Sequence, residues 1–160
     1  MTLVYVGAGT NIDREKHCRA AIEELSALDS DLRVSAIYEC EAIGFDSNDF
    51  YNFVIELNTN LTLTDFSHYL RNIELKWGRE ANARKYQDRT LDLDIILFGD
   101  QISSESPVIP REDIYKYPFV TQPLYELAPD LVIPGTDTAI REIREQMEGL
   151  ESLKTVDLKQ

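Results

Sequence analysis

Within the first hundred residues, apolar residues at strand spacing are followed by apolar residues at helical spacing, and this order occurs twice. The apolar run Leu3 to Val6 predicts a buried strand that ends at Gly7-Ala8-Gly9. Ala21, Ile22, Leu25 and Leu28 then share one face at helical spacing, which predicts a helix from a cap at Asp13 to about Leu28. The first quarter of the chain is therefore expected to form a strand followed by an amphipathic helix.

The same order returns with two strands ahead of the helix. Alternating apolar and polar residues predict strands over 32–38 and 50–57, with an acidic loop over 39–49 between them. A stripe of Phe66, Leu70, Ile73 and Trp77 predicts a core-facing helix that starts at Thr62 or Thr64 and stops at Gly78. Residues 79–90 lack periodicity and are interpreted as a flexible loop, and 91–98 as a strand.

The order strand, helix, strand, strand, helix, strand is typical of the ferredoxin-like split βαβ sandwich, an α+β fold. Short helices predicted over 121–127 and 140–147 form a C-terminal helical addition. Residues 1–160 are expected to form a single domain. We expect both long helices on one face of a mainly antiparallel sheet, and ligands together with the C-terminal segment on the other.

Composition narrows the class of protein. Of 160 residues, 43% are hydrophobic and 28% are charged, with a net charge of −13, which is typical of a soluble globular protein and argues against a general nucleic-acid binder. No segment approaches 18 apolar residues and no basic leader precedes the first strand, so we expect no membrane span and a cytoplasmic location. Cys18 and Cys40 are interpreted as reduced thiols, and His17 and His68 as surface or cap residues.

The candidate chemistry centres on Asp92 and Asp94, two residues apart in an apolar run. In a strand they point to one face with Cα atoms about 6.5 Å apart. Such a pair suits a divalent cation, because hard cations take carboxylate oxygens. A basic cluster lies just upstream, which together with the carboxylates favours a metal-nucleotide site. The cluster comprises Arg79, Arg84, Lys85 and Arg89.

Plainer interpretations of these residues exist. The two aspartates could be exposed on an edge strand, and the basic residues could be a solvated face. Gly7-Ala8-Gly9 lacks the third glycine of a dinucleotide-binding fingerprint, so a Rossmann fold is rejected.

The run Arg89-Thr90-Leu91-Asp92-Leu93-Asp94 through Gly99 resembles the signature of the 6-hydroxymethyl-7,8-dihydropterin pyrophosphokinases. Weaker motifs support the resemblance: Gly9-Thr10-Asn11, Phe50-Tyr51-Asn52, Ile73-Glu74, Gly78-Arg79 and Pro123 to Pro129. The family transfers pyrophosphate from ATP to the hydroxymethyl group of the pterin and releases AMP, using two Mg²⁺ ions. The resemblance thus implies an enzyme of folate biosynthesis with ATP and a pterin as its partners, and we expect a monomer.

The resemblance also implies roles for individual residues. Asp92 and Asp94 would hold both metal ions, and Arg79 and Arg89 would bind the phosphates during transfer. The residues expected around the nucleotide are Arg71, Glu74, Lys85, Arg89, Ile95, Arg111 and Tyr117. Those expected around the pterin are Asn11, Cys40, Ile43, Phe50, Asn52 and Phe119, with Phe50 and Phe119 stacking on the ring and Asn52 bonding its polar edge.

Several positions depart from the family pattern. Arg111 stands where the family typically has histidine, and Tyr117 where it has an arginine that meets ATP phosphates. Asp88 adds a negative charge beside Arg89, and Cys40-Glu41-Ala42 replaces a Thr-Pro-Pro loop. Arg111 could replace the lost cation, because a guanidinium is always charged and binds phosphate through two donors.

These departures keep two further hypotheses open. One is a diverged paralogue that acts on another pterin or hydroxymethyl heterocycle. The other is a non-catalytic pterin- or nucleotide-binding module. A screen of pterins for ATP-dependent AMP release separates the first from the leading interpretation, and tight binding without AMP would favour the second.

Overall fold

Six strands form one antiparallel sheet within the residues that this computed structural model describes, namely 1–41, 49–78 and 91–158. The strands are β1 (Thr2–Thr10), β2 (Arg33–Val34), β3 (Ile37–Cys40), β4 (Phe50–Thr59), β5 (Asp92–Phe98) and β6 (Lys154–Val156). Their spatial order is β5-β1-β4-β3-β6, and β2 also pairs with β4. The α-helices in the same ranges are α1 (Arg14–Ser26), α2 (Leu63–Lys76), α3 (Asp113–Lys116), α4 (Pro118–Leu127) and α5 (Ile140–Gln146), and a short 3-10 helix spans Leu150–Ser152.

This arrangement confirms the predicted ferredoxin-like α+β fold with its C-terminal helical addition. Two apolar clusters lie on opposite faces of the sheet, which we call the helix face and the site face. On the helix face, α1 and α2 pack their buried residues, including Leu25 and Phe66, against Phe53 and Ile55 of β4. On the site face, α3, α4 and α5 pack against Tyr5, Val54, Ile96 and Leu97.

The first predicted strand proved too short at its C-terminal end. β1 continues through Gly7 and Gly9 to Thr10, because its backbone is paired on both sides. Gly7 lies opposite Val54 of β4 and Asp94 of β5, and Gly9 lies opposite Asn52 and Asp92. Two ladders of backbone hydrogen bonds outweigh the weak strand propensity of glycine.

The strand predicted over 32–38 is in fact interrupted and extends further. β2 and β3 both pair with β4, but the chain leaves the ladder at Ser35 and Ala36. The Ser35 hydroxyl accepts a hydrogen bond from the Val54 amide (2.9 Å), and the Glu126 carboxylate of α4 accepts one from the Ala36 amide (3.1 Å). Side chains thus satisfy backbone groups at the break, and pairing then resumes as far as Cys40.

Two expectations for α1 were wrong. Asp13 precedes the helix with a left-handed backbone (φ 44°), and its side chain makes no capping bond. His17 is 3% exposed rather than a surface or cap residue. Its Nδ1 lies 2.6 Å from the carbonyl oxygen of Ile12, and its ring meets the edge of Trp77. The periodicity of α1 could not show this, because both contacts lie outside the helix. His68 is exposed as expected, and both cysteines are free thiols.

The start of α2 illustrates a local signal that the structure confirms. The Thr62 hydroxyl accepts a hydrogen bond from the Asp65 amide at 3.1 Å, which satisfies one of the unpaired donors of the first turn. Gly78 follows the helix with φ 104°, a conformation that glycine adopts without strain.

We expect Thr62→Ala to lower the free energy of unfolding by about 1 kcal/mol, because the first turn loses its side-chain cap. Urea denaturation followed by circular dichroism measures the change. Thr64→Ala is the matched control, since Thr64 is exposed within the first turn and alanine favours helix there. Equal losses from the two substitutions would contradict the capping role.

Candidate active site

Alternate residues of β5 face opposite sides of the sheet. Leu93 and Ile95 lie in the apolar cluster of the helix face, whereas Ile96 lies in that of the site face, next to a register shift in the pairing with β1. Asp92 and Asp94 alternate with Leu93 and Ile95, so both carboxylates point to the site face. The structure therefore brings the two predicted metal ligands to one side of the sheet.

Neighbouring strands carry the predicted pterin residues on the same face. A Cβ added to Gly9 would lie 2.8 Å from Oδ1 of Asn52 and 3.8 Å from Cδ1 of Phe50. Gly9 therefore leaves the space that the Asn52 amide occupies. Cys40 lies opposite Phe50 in the β3–β4 ladder, and its thiol also contacts the Asn52 side chain. Burial raises the pKa of Cys40 to about 11, so the thiol stays protonated at neutral pH and is a poor nucleophile.

α4 and the residue just before it supply two aromatic side chains on this face. Phe119 packs with the apolar cluster that includes Val54 and Ile96. Tyr117, just before the helix, stacks on Phe119 with ring centroids 5.1 Å apart and an angle of 13° between planes. α4 is held to β3 by the Glu126 carboxylate, which accepts a hydrogen bond from the Tyr38 hydroxyl. One helix thus positions both aromatic side chains relative to the strand that carries Cys40.

Electrostatics distinguish Asp94 from an ordinary surface carboxylate. Its side chain is 35% exposed. Removal from water raises its pKa well above the usual range, and the neighbouring Asp92 raises it further through charge repulsion and a shared hydrogen bond. Arg111 opposes these effects with its Nη2 3.6 Å from Oδ2 of Asp94. Among the described residues, Arg111 therefore offsets part of the negative charge of Asp94.

The predicted nucleotide residues divide between two surroundings. Glu74 is 5% exposed, and its Oε2 accepts a hydrogen bond from the Leu93 amide (2.9 Å), on the edge of β5 that β1 does not cover. Arg71 lies 3.6 Å from the Glu74 carboxylate. The Ile95 side chain is buried in the core of the helix face, so only its backbone is available to a ligand. Arg111 and Tyr117 lie on the site face.

Of the remaining predicted site residues, Asn11 is described and four lie outside the described ranges. Asn11 is 1% exposed directly after β1. Ile43, Arg79, Lys85 and Arg89 lie outside the described residues, as does the loop predicted over 79–90.

Two residues for which no role was predicted also help to build the site. Asp113 of α3 accepts a hydrogen bond from Nε of Arg111 at 3.0 Å, and Glu126 anchors α4. The charged run Arg-Glu-Asp at 111–113 is a local signal from which the pairing of Asp113 with Arg111 could have been predicted. Glu126 lies in the Pro123 to Pro129 motif, but no role was predicted for it, because its partners Ala36 and Tyr38 are 90 and 88 residues away.

Among the described residues, no three histidine, cysteine, aspartate or glutamate side chains cluster as a metal site. A protein-only ligand cage is therefore absent from this part of the chain. Mg²⁺ does not need one, since it is commonly bound by one or two carboxylates with water and substrate phosphates completing the shell. None of the helices in the described ranges has the length and apolar character needed to cross a bilayer.

Known proteins with similar sequences share one description. The family described as 7,8-dihydro-6-hydroxymethylpterin-pyrophosphokinase matches residues 5–129. The 2-amino-4-hydroxy-6-hydroxymethyldihydropteridine pyrophosphokinase of Pseudomonas aeruginosa is 37% identical over 136 residues, covering 82% of this chain and 83% of the relative. The Haemophilus influenzae protein of the same name is 33% identical over 141 residues, covering 85% and 88%.

Solved structures agree on the fold. Wild-type Plasmodium falciparum HPPK-DHPS, crystallised with SDX-DHP, superposes with a TM-score of 0.67 at 12% identity. The match covers 91% of this chain and 43% of that longer chain. At this identity the likeness concerns the fold alone. The sequence matches go further, because they cover most of both chains, and they place this chain in the 7,8-dihydro-6-hydroxymethylpterin-pyrophosphokinase family.

Proposed function

We propose that this protein transfers the pyrophosphoryl group of ATP to the hydroxymethyl group of 6-hydroxymethyl-7,8-dihydropterin and releases AMP. The observation that carries the proposal is that the predicted metal ligands and the predicted pterin residues lie on one face of the sheet. Asp92 and Asp94 of β5 lie on the same side of the sheet as Phe50 and Asn52 of β4, with β1 between them. Two carboxylates that would bind phosphate through a metal ion thus lie near an aromatic ring and an amide that would contact a flat, polar-edged ring.

The carboxylate pair fits Mg²⁺. Asp92 and Asp94 offer hard oxygen ligands, and their mutual repulsion leaves a negative charge that a divalent cation would neutralise. Two Mg²⁺ ions bound there would supply charge neutralisation for the phosphates and alignment of the attacking and leaving oxygens. The number of ions follows from the family resemblance.

The side chains of this chain then act by position and charge. Asn52 would orient the pterin edge, with Gly9 leaving room for its amide, and Phe50 and Phe119 would contact the ring faces. The pterin hydroxyl oxygen would attack the β-phosphorus of ATP, the bond to the α-phosphate oxygen would break, and AMP would leave. No nucleophilic side chain is required, because such transfer depends on positioning and electrostatic stabilisation.

Residues around the nucleotide complete the proposal. Arg111, at the metal carboxylates, would bring a guanidinium toward the phosphates, and Glu74 with Arg71 would border the nucleotide at the edge of β5. Arg79, Lys85 and Arg89 are proposed as phosphate-binding residues on the family pattern. We also infer that residues 1–160 act as one domain, because both apolar clusters share one sheet. The monomer remains an expectation from the sequence.

We expect Asp94→Asn to reduce pterin-dependent AMP release by about a hundredfold or more, as for loss of a principal electrostatic contact in a transition state. AMP is measured by chromatography with ATP, Mg²⁺ and the pterin. Asp100→Asn removes an exposed carboxylate just beyond β5 and should leave the rate unchanged. Near-normal turnover in Asp94→Asn would remove the metal assignment. Absence of AMP from the unsubstituted protein, with pterin binding intact, would favour the binding-module hypothesis.

Gly9→Ala should weaken pterin binding by about tenfold, because the added methyl would displace the Asn52 amide and so remove about one hydrogen bond to the ring. Pterin fluorescence measures the dissociation constant. Gly7→Ala is the matched control on the same strand and face. Its Cβ would meet the flexible end of Ile96 at 3.1 Å rather than a predicted ligand group, so its effect should be small. Equal affinity in Gly9→Ala and the unsubstituted protein would exclude Asn52 from the pterin site.

The raised pKa of Asp94 predicts how stability depends on pH in metal-free protein. The folded state holds the Asp94 proton more tightly than the unfolded state, whose pKa is near the ordinary 3.8. The free energy of unfolding should therefore fall as the pH rises from 3.8 through the raised value. Because other groups titrate too, the test is the difference between the unsubstituted protein and Asp94→Asn, measured by urea denaturation in EDTA at several pH values. The difference should move against the unsubstituted protein as pH rises, and Mg²⁺ at pH 7 should reverse it. A pH-independent difference would contradict the assignment.

A further inference from the structure

Arg111 is fixed to the same strand as the metal carboxylates through its backbone. Its amide donates a hydrogen bond to the Ile96 carbonyl oxygen at 3.0 Å, two residues beyond Asp94. The start of the Arg111 side chain therefore has a fixed position beside β5. The guanidinium at the other end of the side chain can still move between partners.

Two carboxylates from different elements share that guanidinium. Nε donates to Oδ2 of Asp113 at 3.0 Å, which is hydrogen-bond distance. Nη2 lies 3.6 Å from Oδ2 of Asp94, which is an ion pair too long to be a hydrogen bond. Asp113 is thus the tighter anchor and Asp94 the looser partner. The Arg111 side chain is 36% exposed, so water can replace the looser contact.

A divalent cation at Asp92 and Asp94 would compete with this guanidinium. Both positive charges need the same carboxylate, and within several ångströms they repel each other. We propose that Arg111 is an exchangeable counter-ion of the metal carboxylates, with Asp113 as the positioning residue that retains it when metal binds. In metal-free protein Arg111 neutralises part of the Asp94 charge. With metal bound, Asp113 alone holds Nε, and the Nη2 edge is released for an anionic partner, which in the proposed function is a phosphate of ATP.

This inference rests on the proposed metal site, and it adds a consequence that the site alone does not have. Arg111 and Asp113 must affect metal affinity in opposite directions. Removing the guanidinium removes a competitor and should tighten metal binding. Removing the Asp113 carboxylate leaves Asp94 as the carboxylate, of these two, that Arg111 can still pair with. Arg111 should then compete more strongly with the metal, so metal binding should weaken.

The experiment measures the binding of Mn²⁺, used in place of Mg²⁺, to the nucleotide-free protein. Binding is followed as the loss of the electron paramagnetic resonance signal of free Mn²⁺. We expect Arg111→Gln to bind Mn²⁺ about tenfold more tightly, since removing one charge near a divalent ion is worth on the order of one factor of ten. Asp113→Asn should bind it several-fold more weakly. Lys116→Gln is the control. It removes a positive charge from α3, the helix of Asp113, where Lys116 pairs with Glu112, and should change the Mn²⁺ affinity little.

The double variant Arg111→Gln/Asp113→Asn separates retention of Arg111 from simple charge loss. If Asp113 acts through Arg111, Asp113→Asn should have little effect in the Arg111→Gln background. If Asp113 acts only as a distant negative charge, it should weaken binding equally in both backgrounds, and the proposal is wrong. Unchanged affinity in Arg111→Gln, or no Mn²⁺ binding even in that variant, would also overturn it.

These outcomes are distinct from a failure of the proposed function. AMP release that depends on the pterin and on Asp94 would preserve the function even if Arg111→Gln left metal affinity unchanged. Conversely, opposite shifts in Mn²⁺ affinity would support the counter-ion role even if no AMP formed. Circular dichroism and Trp77 fluorescence of each variant confirm that the fold is intact.

Discussion

The site depends on the two-residue alternation of β5 from Asp92 to Ile95, where its register with β1 is continuous. β1 pairs with one edge of the strand, and the Glu74 carboxylate accepts the Leu93 amide on the other. Leu93 and Ile95 are buried against the helices, which fixes Asp92 and Asp94 on the opposite face. A slip of one residue would bury two carboxylates and expose two apolar side chains, so the core itself enforces the orientation of the site.

The space in front of these carboxylates is created by neighbouring elements. Gly9 gives up its side chain where the Asn52 amide lies, and the C-terminal helices cover the part of the face beyond the site. α4 is tied to the sheet at Tyr38 through Glu126 and at Arg33, which donates to the Leu127 carbonyl. Polar contacts at the C-terminal end of α4 thus determine where Phe119, near its beginning, stands relative to β4.

Charge is organised locally, against the overall balance of the chain. A net charge of −13 is unfavourable for binding ATP, yet a positive charge, that of Arg111, lies at the acidic site. Arg111 is the clearest case, because it lies between a carboxylate of the proposed metal site and one of α3. Its position where the family typically has histidine means that a permanent cation, independent of pH, accompanies the proposed metal ligands.

The sequence by itself determined the order of the elements, the fold class and the shared face of Asp92 and Asp94, because hydrophobic periodicity and strand alternation are local properties. It also identified the family, through motifs spread along most of the chain. Tertiary structure alone decided the continuation of β1 through its glycines, the break between β2 and β3, the burial of His17 and the sharing of Arg111 between Asp94 and Asp113. Each of these depends on a hydrogen bond, ion pair or ring contact with a separate element, and a pattern read along one segment carries no record of the partner it will meet.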